Sequence, residues 1–191
     1  MTPKNSHQPP ARRADAARNR EKILEAGRLA FADPGADVSM VEVARRSGVG
    51  SATLYRNFAT RRDLLEALYI DEVDAVCDAA STIEGDTPGA RFAAWLHRFF
   101  LYFTSKRHVA TELLEHSDLG SPVFGASRDR VLAAGRPLLR AAQDSQEVQA
   151  ELTLEQTLDL VVAIGKIRGE PGYVEPILCA ALGGLRQPPG G

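Results

Sequence analysis

Residues 51–58 (SATLYRNF) combine an apolar side with a side of small, hydroxyl-bearing and cationic residues. Leu54 and Phe58 are four residues apart, so a helix would turn both toward a core. Small side chains allow close approach to a groove, and tyrosine hydroxyl and guanidinium groups donate hydrogen bonds to phosphates and base edges. The pattern favours nucleic-acid contact over the alternative, an amphipathic helix whose outer side is only solvated. The outer side would carry Ser51, Ala52, Tyr55 and Arg56, with Asn57 at its edge.

The residues before this stretch predict the elements that would position it. Ser39 and Glu42 have the spacing of a capping box, which begins a helix. Gly48 predicts the end of that helix, because glycine adopts the left-handed backbone of a helix stop without a steric penalty. Residues 47–50 then form a tight turn before the second, short helix. This is the plan of a helix-turn-helix.

A third helix is predicted to open at a second capping box, formed by Thr60 and Asp63. Its first turn carries Arg61 and Arg62. The N-terminus of a helix is already partly positive, so two cations there are unfavourable unless an anion such as a DNA phosphate lies opposite. The position of these two residues therefore predicts a phosphate contact.

The distribution of charge divides the 191-residue chain into a basic head and an acidic body. Residues 1–62 contain 12 Lys and Arg against 6 Asp and Glu, a net charge of +6, whereas the remainder contains 11 against 19, a net charge of −8. This asymmetry is expected if residues 1–62 bind nucleic acid and the remainder does not. Uneven surface charge without a partner is the alternative.

The segment GVGSATLYRNF followed by ATRRDLLEAL resembles the DNA-binding signature of TetR-family transcriptional regulators, and the match runs from Arg18 to Leu68. The resemblance implies an all-helical dimer whose first three helices bind operator DNA and whose divergent C-terminal domain binds a small effector and the partner subunit. It also implies phosphate contacts at Tyr55 and Arg61. Asn57 departs from the family, which often has His there, and Arg61 stands where Lys is common. The candidate DNA-contacting residues are Ser39, Gly50, Ser51, Ala52, Thr53, Tyr55, Arg56, Asn57 and Arg61.

Aromatic residues are concentrated in the segment ARFAAWLHRFFLYF, predicted to be a helix that starts at Thr87 and Pro88. Effector pockets are mostly apolar with a few polar groups, so this helix is a candidate pocket wall. The same aromatic stripe is also typical of a protein core, and that alternative stays open. The candidate pocket residues are Phe92, Trp95, Leu96, Phe99, Phe100, Phe103 and His116.

Two apolar helices near the C-terminus are the candidate homodimer interface. The first is predicted to begin at a capping box formed by Thr153 and Gln156, and the second follows residues 169–172. Paired with their symmetry mates they would form a four-helix interface, unless both apolar faces cover the subunit's own core. The preceding helix, which ends near Asp144, is expected to bend at Pro137. The candidate interface residues are Leu160, Val161, Ile164, Ile167, Val174, Ile177, Leu178, Ala181, Leu182 and Leu185.

Other classes of protein find little support in the sequence. No signal peptide or membrane-spanning stretch is recognisable, so we expect a cytoplasmic protein without a membrane partner. Cys77 and Cys179 lie in apolar stripes and are expected to pack as small hydrophobic residues. No convergent catalytic set, complete metal-ligand set or cofactor motif is present, so we expect no enzyme activity, metal or cofactor.

The sequence therefore predicts an all-α, dimeric repressor, bound to a palindromic double-stranded operator and released by a small apolar or amphipathic effector. The alternative is a helical protein-interaction module without specific DNA binding. Four segments are expected along the chain: a disordered arm (1–14), a helix-turn-helix domain (15–62), an effector-binding and dimerisation domain (63–186), and a disordered tail (187–191).

Overall fold

The computed structural model describes residues 10–31, 38–105, 113 and 122–186. These residues form eight helices, and the predicted all-α fold class is confirmed. Extended pairing within the described residues is limited to one antiparallel bridge between Val148 and Arg186. The helices are α1 (Pro10–Ala30), α2 (Met40–Ser47), α3 (Ser51–Asn57), α4 (Arg61–Thr82), α5 (Pro88–Ser105), α6 (Pro122–Asp144), α7 (Leu154–Gly165) and α8 (Pro171–Gly183).

The chain divides into two compact units, Met1–Leu68 and Tyr69–Gly191. The sequence placed this border six residues earlier, after residue 62. The first turns of α4 belong to the N-terminal unit because Leu64, Leu65 and Leu68 are buried. Leu68 lies directly against α1, where a Cβ added to Gly27 would come 3.1 Å from its Cδ1 atom.

Helix α1 begins at Pro10, five residues before the predicted start at Asp15. Proline is favoured in the first turn of a helix because its missing N–H has no intrahelical partner there. The sequence extended the disordered arm over residues 10–14 because they have no apolar period, yet these residues are helical. Residues 1–9, the predicted stop at residues 33–35, and the tail at residues 187–191 lie outside the described residues.

The core of the C-terminal unit is built around Trp95, which is fully buried. Its indole Nε1 donates a hydrogen bond to the carbonyl of Val76 at 3.1 Å, so the polar atom of the ring is satisfied. The ring lies close to α6 at Gly135, where an added Cβ would come 2.3 Å from its Cη2 atom. Helices α5 and α6 approach each other closely at this point because glycine has no side chain.

The predicted start of α5 at Thr87 and Pro88 is observed. The Thr87 hydroxyl accepts a hydrogen bond from the Ala90 N–H at 3.1 Å and donates one to the Glu147 carboxylate at 2.5 Å. Hydrogen bonding from Thr87, with smaller contributions from Ser145 and the Gly89 backbone, lowers the pKa of Glu147 below its ordinary value. The loop after α6 thus supplies an anion to the positive end of α5.

Helix α6 continues through Pro137 without a break in its assignment. Proline at this position removes the N–H that would bond to the carbonyl of Ala133. Both residues are exposed, so water can satisfy that carbonyl. The predicted capping box of α7 is present in both directions, from Gln156 N–H to the Thr153 hydroxyl at 3.2 Å and from Thr153 N–H to the Gln156 side chain at 3.0 Å.

Candidate nucleic-acid interface

Helix α3 is fixed to the N-terminal unit by two apolar side chains. Leu54 is 0% exposed and Phe58 is 2% exposed, and they lie on one side of the helix, as the sequence predicted. The helix starts at Gly50, whose carbonyl accepts hydrogen bonds from Thr53 N–H at 2.8 Å and Leu54 N–H at 3.1 Å. Gly48 ends α2 with φ +66° in the left-handed region, which confirms the predicted helix stop. The turn between the two helices therefore orients α3.

The outer side of α3 brings together the side chains that the sequence assigned to DNA contact. Ser51, Ala52, Tyr55 and Arg56 are exposed, with 47% of Tyr55 accessible to solvent. Gly50, immediately before them, is exposed as well, and a Cβ added there would meet nothing within 4 Å. One exposed surface thus carries the Gly50 backbone, the Tyr55 hydroxyl and the Arg56 guanidinium. This surface is suited to the major groove, where backbone and side-chain donors meet phosphates and base edges.

Three polar residues on α3 are connected by hydrogen bonds within the helix. Arg56 donates from Nε to the Ala52 carbonyl at 3.1 Å and from Nη2 to the Thr53 hydroxyl at 3.0 Å. Asn57 donates from Nδ2 to the Thr53 carbonyl at 2.8 Å. Thr53 and Asn57 are half-buried, so they lie at the edge of the exposed surface and not at its centre.

Helix α2 begins at Ser39, as predicted, with the Ser39 hydroxyl accepting from Glu42 N–H at 3.2 Å. The reciprocal half of the predicted capping box is replaced. The Glu42 carboxylate accepts from Arg45 at 2.7 and 2.8 Å and from Arg46 at 2.6 Å, because two guanidinium groups one turn away compete for it. Arg45 and then Arg46 lower the pKa of Glu42 to about 2. Ser39 is exposed and acts as a helix cap.

The capping box of α4 is present, with Asp63 N–H to the Thr60 hydroxyl at 3.1 Å and Thr60 N–H to the Asp63 carboxylate at 2.9 Å. The two cations of its first turn have partners within the chain. Arg62 donates to Glu66 at 2.8 Å, and the Arg61 guanidinium lies 5.0 Å from the centre of the Phe31 ring. These local and tertiary contacts stabilise both cations, so their position alone does not require an opposing phosphate. The phosphate contact that the resemblance implies at Arg61 stays a prediction.

One cation near this surface was missed by the sequence reasoning. The guanidinium of Arg20, on α1, lies 4.6 Å from the centre of the Phe58 ring, at the end of α3. The contact joins residues 38 positions apart in the sequence, so no local spacing could indicate it. It adds a positive charge next to the exposed outer side of α3 and stabilises the packing of α1 against α3.

Both halves of the chain match models of known regulator domains. Residues 23–68 match the family model of bacterial regulatory proteins of the tetR family. Residues 87–187, more than half of the chain, match the model of the C-terminal domain of SbtR-like transcriptional regulators. The chain belongs to the TetR family of transcriptional regulators. The first match spans the helix-turn-helix described above.

Solved structures of TetR-family regulators are similar along nearly their whole length. The TetR transcriptional regulator SCO0520 from Streptomyces coelicolor is 32% identical, with a TM-score of 0.74 over 89% of this chain and 99% of that one. A TetR regulatory protein from Mycobacterium vanbaalenii is 31% identical, with a TM-score of 0.72 over 91% and 98%. GusR of Salmonella enterica is 18% identical with a TM-score of 0.62 over 95% and 98%, a likeness that concerns the fold alone.

The aromatic stripe of α5 packs into the core of the C-terminal unit in this TetR-family regulator. Its rings pack on one another, with centroids 6.4 Å apart between Phe92 and Trp95 and 6.3 Å apart between Trp95 and Phe99. Phe103 is only half-buried, and His116 lies outside the described residues. Side chains in protein interiors are close-packed, so large apolar rings in a core fill the space between the helices. The predicted pocket residues that are buried in this core are Phe92, Trp95, Leu96, Phe99 and Phe100.

A cleft of about 360 Å³ lies between α4 and α5, and its lining residues are outside the list of candidate pocket residues given above. It has apolar walls, two hydroxyl groups and one side chain of each charge. Tyr102, which contributes one hydroxyl, is a neutral phenol because burial, with a further contribution from Tyr69, raises its pKa. The lining residues are Glu72, Ala75, Val76, Arg98, Leu101, Tyr102 and Thr104.

Half of the predicted dimer residues are buried in the core of their own subunit. The reason is that α7 and α8 bury their most apolar faces against α5, α6 and each other. Leu160 is 38% exposed, and the remaining predicted residues, Ile167, Ile177, Ala181 and Leu182, are half-buried. Cys179, expected to be packed, is exposed on α8. The predicted interface residues buried in this way are Val161, Ile164, Val174, Leu178 and Leu185.

Two further observations concern the described residues alone. No helix there combines the length and apolar character needed to cross a membrane. No group of three or more His, Cys, Asp or Glu side chains there is arranged to hold a metal ion.

Proposed function

We propose that this TetR-family regulator is a repressor that binds a palindromic operator as a homodimer and is released by a small amphipathic effector. The observation that carries the proposal is the outer side of α3, where Tyr55 and Arg56 are exposed while Leu54 and Phe58 anchor the helix. A helix presented in this way can enter the major groove, which is about 12 Å wide. Occupying an operator by this means would block transcription.

The length of α3 favours a twofold complex. Its seven residues extend about 10 Å at 1.5 Å per residue, enough for only a few base pairs. A symmetric dimer doubles the contacts when two half-sites are separated by one helical turn of DNA, about 34–36 Å. The operator is then expected to be palindromic, because its symmetry mirrors that of the protein.

For the dimer interface we infer the outward faces of α7 and α8 instead of the buried faces. Leu160 on α7 and Tyr173 on α8 are large apolar residues that are 38% and 63% exposed. Small exposed residues, Ala163, Ala180 and Gly183, lie on the same two helices and would allow close approach. An interface of this kind would exclude water from Leu160.

Sedimentation or light scattering tests the dimer. Leu160→Asp is expected to shift the protein toward monomers and weaken operator binding, because a carboxylate would be buried at the interface. Ile70→Asp is the matched control, since Ile70 is also 38% exposed but lies on α4. Dimers that survive Leu160→Asp unchanged would contradict this choice of surface.

For the effector we infer the cleft between α4 and α5. Arg98 can pair with an acidic group, and Tyr102 and Thr104 offer hydroxyls beside the apolar wall of Leu101. An effector bound there would favour a state in which the two recognition helices no longer match successive major grooves. Arg98→Ala is expected to preserve operator binding but reduce release by the effector.

Gel-shift titration against the promoter next to the regulator's own reading frame tests DNA binding. Tyr55→Ala and Arg61→Ala should weaken binding to any sequence and lower the salt slope by about 0.9 for each lost phosphate contact. Arg140→Ala, a change of an exposed arginine in the C-terminal unit, should bind like the wild type. If the wild type retards no DNA at low salt, the proposal is wrong, and a protein-interaction module becomes the better description of the basic unit.

A further inference from the structure

The hydrogen bonds of Arg56 leave one edge of its guanidinium available. Its Nε and Nη2 atoms, which form the inner edge of the group, donate to Ala52 and Thr53. A guanidinium carries five N–H donors in a rigid plane. Two are used within α3, so both N–H groups of Nη1 and one of Nη2 remain. One N–H of Nη1 and the remaining N–H of Nη2 are parallel, and this pair of donors forms the outer edge of the group.

Two parallel donors match a single base edge in the major groove. Guanine presents two acceptors there, O6 and N7. Adenine places the N6 donor next to its N7 acceptor, cytosine presents the N4 donor, and thymine presents one acceptor beside a methyl group. A fork of two donors would therefore leave a donor facing a donor or a methyl group on any base other than guanine.

We propose that Arg56 reads a guanine in each operator half-site and that Thr53 is the positioning residue that holds its guanidinium for this contact. The inference rests on the proposed DNA-binding function and adds the identity of one recognised base. Thr53 suits this role because its β-branched side chain has few rotamers and the residue is half-buried. A long arginine side chain that is already held loses less rotamer freedom when it binds.

The neighbouring amide strengthens the assignment to Arg56. Asn57 is the other side chain on α3 able to form two hydrogen bonds with one base, usually adenine. Its Nδ2 donates to the Thr53 carbonyl at 2.8 Å, and the residue is half-buried. We therefore assign the contact that uses two donors on one base to Arg56. Asn57 instead donates a hydrogen bond to the backbone of Thr53.

Selection of bound sequences from a random duplex library, repeated with four variants, tests the inference. The wild type should select a palindrome with an invariant guanine in each half. Arg56→Gln replaces the two parallel donors with one donor and one acceptor, a pair that matches adenine, so it should lose about 5- to 150-fold of the guanine preference at that position. Its affinity for unrelated DNA should fall by a smaller factor, since that binding depends mainly on phosphate contacts made by other cations.

Variants of Thr53 separate positioning from folding. Thr53→Val removes the hydroxyl at nearly constant shape and should reduce the guanine preference by about two- to tenfold, the range of one hydrogen bond. Thr53→Ser retains a hydroxyl and should restore the preference. Thermal melting of each variant should match the wild type, and Thr53→Ala replaces Thr53→Val if the valine variant melts earlier.

The possible outcomes distinguish this inference from the proposed function. A wild type that selects a defined operator whose preferences are unchanged in Arg56→Gln would overturn guanine reading while leaving operator binding intact. A Thr53→Val variant with the full guanine preference would overturn the positioning role of Thr53. A wild type that selects no sequence at all would reject the proposed function, and this inference with it.

Discussion

Replacing Gly135 with alanine probes whether the aromatic cluster of α5 is a closed core or a space for an effector. An added Cβ at Gly135 would lie 2.3 Å from Cη2 and 2.6 Å from Cζ3 of Trp95. Carbon atoms in contact are normally about 3.5–4.0 Å apart. The ring or the helix would therefore have to move by more than about 1 Å.

The indole has little room to move. Trp95 is 0% exposed, its Nε1 is bonded to the Val76 carbonyl at 3.1 Å, and it packs against both Phe92 and Phe99. Overpacking of this kind lowers stability by about 1–3 kcal/mol. Replacing a helical glycine with alanine contributes about 0.5–1 kcal/mol in the opposite direction. We expect Gly135→Ala to lower the free energy of unfolding by about 1–2 kcal/mol.

Urea denaturation followed by fluorescence measures this effect at the site itself, because Trp95 is the chain's one tryptophan. Gly125→Ala is the matched control on the same helix, since an added Cβ there meets nothing within 4 Å. The control should be as stable as the wild type or slightly more stable. If Gly135→Ala matched the control in stability and emission spectrum, the space beside Trp95 would be open, and the core assignment would be wrong.

Three further predictions concern helix ends and one carboxylate. Gly48 has φ +66°, so Gly48→Ala should lower the free energy of unfolding by about 1–2 kcal/mol. Gly50 has φ −62°, so Gly50→Ala should change it by less than about 1 kcal/mol. Equal effects in urea denaturation would contradict backbone strain at position 48. Thr153→Ala should lose about 1 kcal/mol and Thr153→Ser almost nothing, since only the serine keeps the cap of α7; calorimetry that finds both variants equally stable would count against the cap. Because Arg45 and Arg46 lower the pKa of Glu42 to about 2, the stabilisation from its ionised carboxylate is present above the ordinary pKa of 4.5 and is lost as the pH falls from 4.5 toward 2. Glu42→Gln should therefore flatten the pH dependence of melting in that interval, and an unchanged profile would refute the linkage.

Interactions within one or two helical turns were largely predictable from the sequence. Ser39, Gly48, Thr60 and Thr153 all mark helix ends where the sequence placed them, because caps and stops join residues only a few positions apart. The Glu42 carboxylate is the exception. Its predicted partner, a backbone N–H, competed with two arginine side chains on the same helix, and spacing alone could not rank them.

The sequence by itself determined the all-α fold, the helix-turn-helix and the outward face of α3, since each depends on local periodicity and local caps. Tertiary structure decided what covers each apolar face. The sequence pattern of an apolar stripe is the same whether the stripe packs against its own chain or against a partner. Only the packing of α5 to α8 places Val161 and Leu178 in the subunit core. The partners of Arg20 and Arg61 were likewise decided by distant rings, Phe58 and Phe31, because cation–π contacts depend on where helices meet in space.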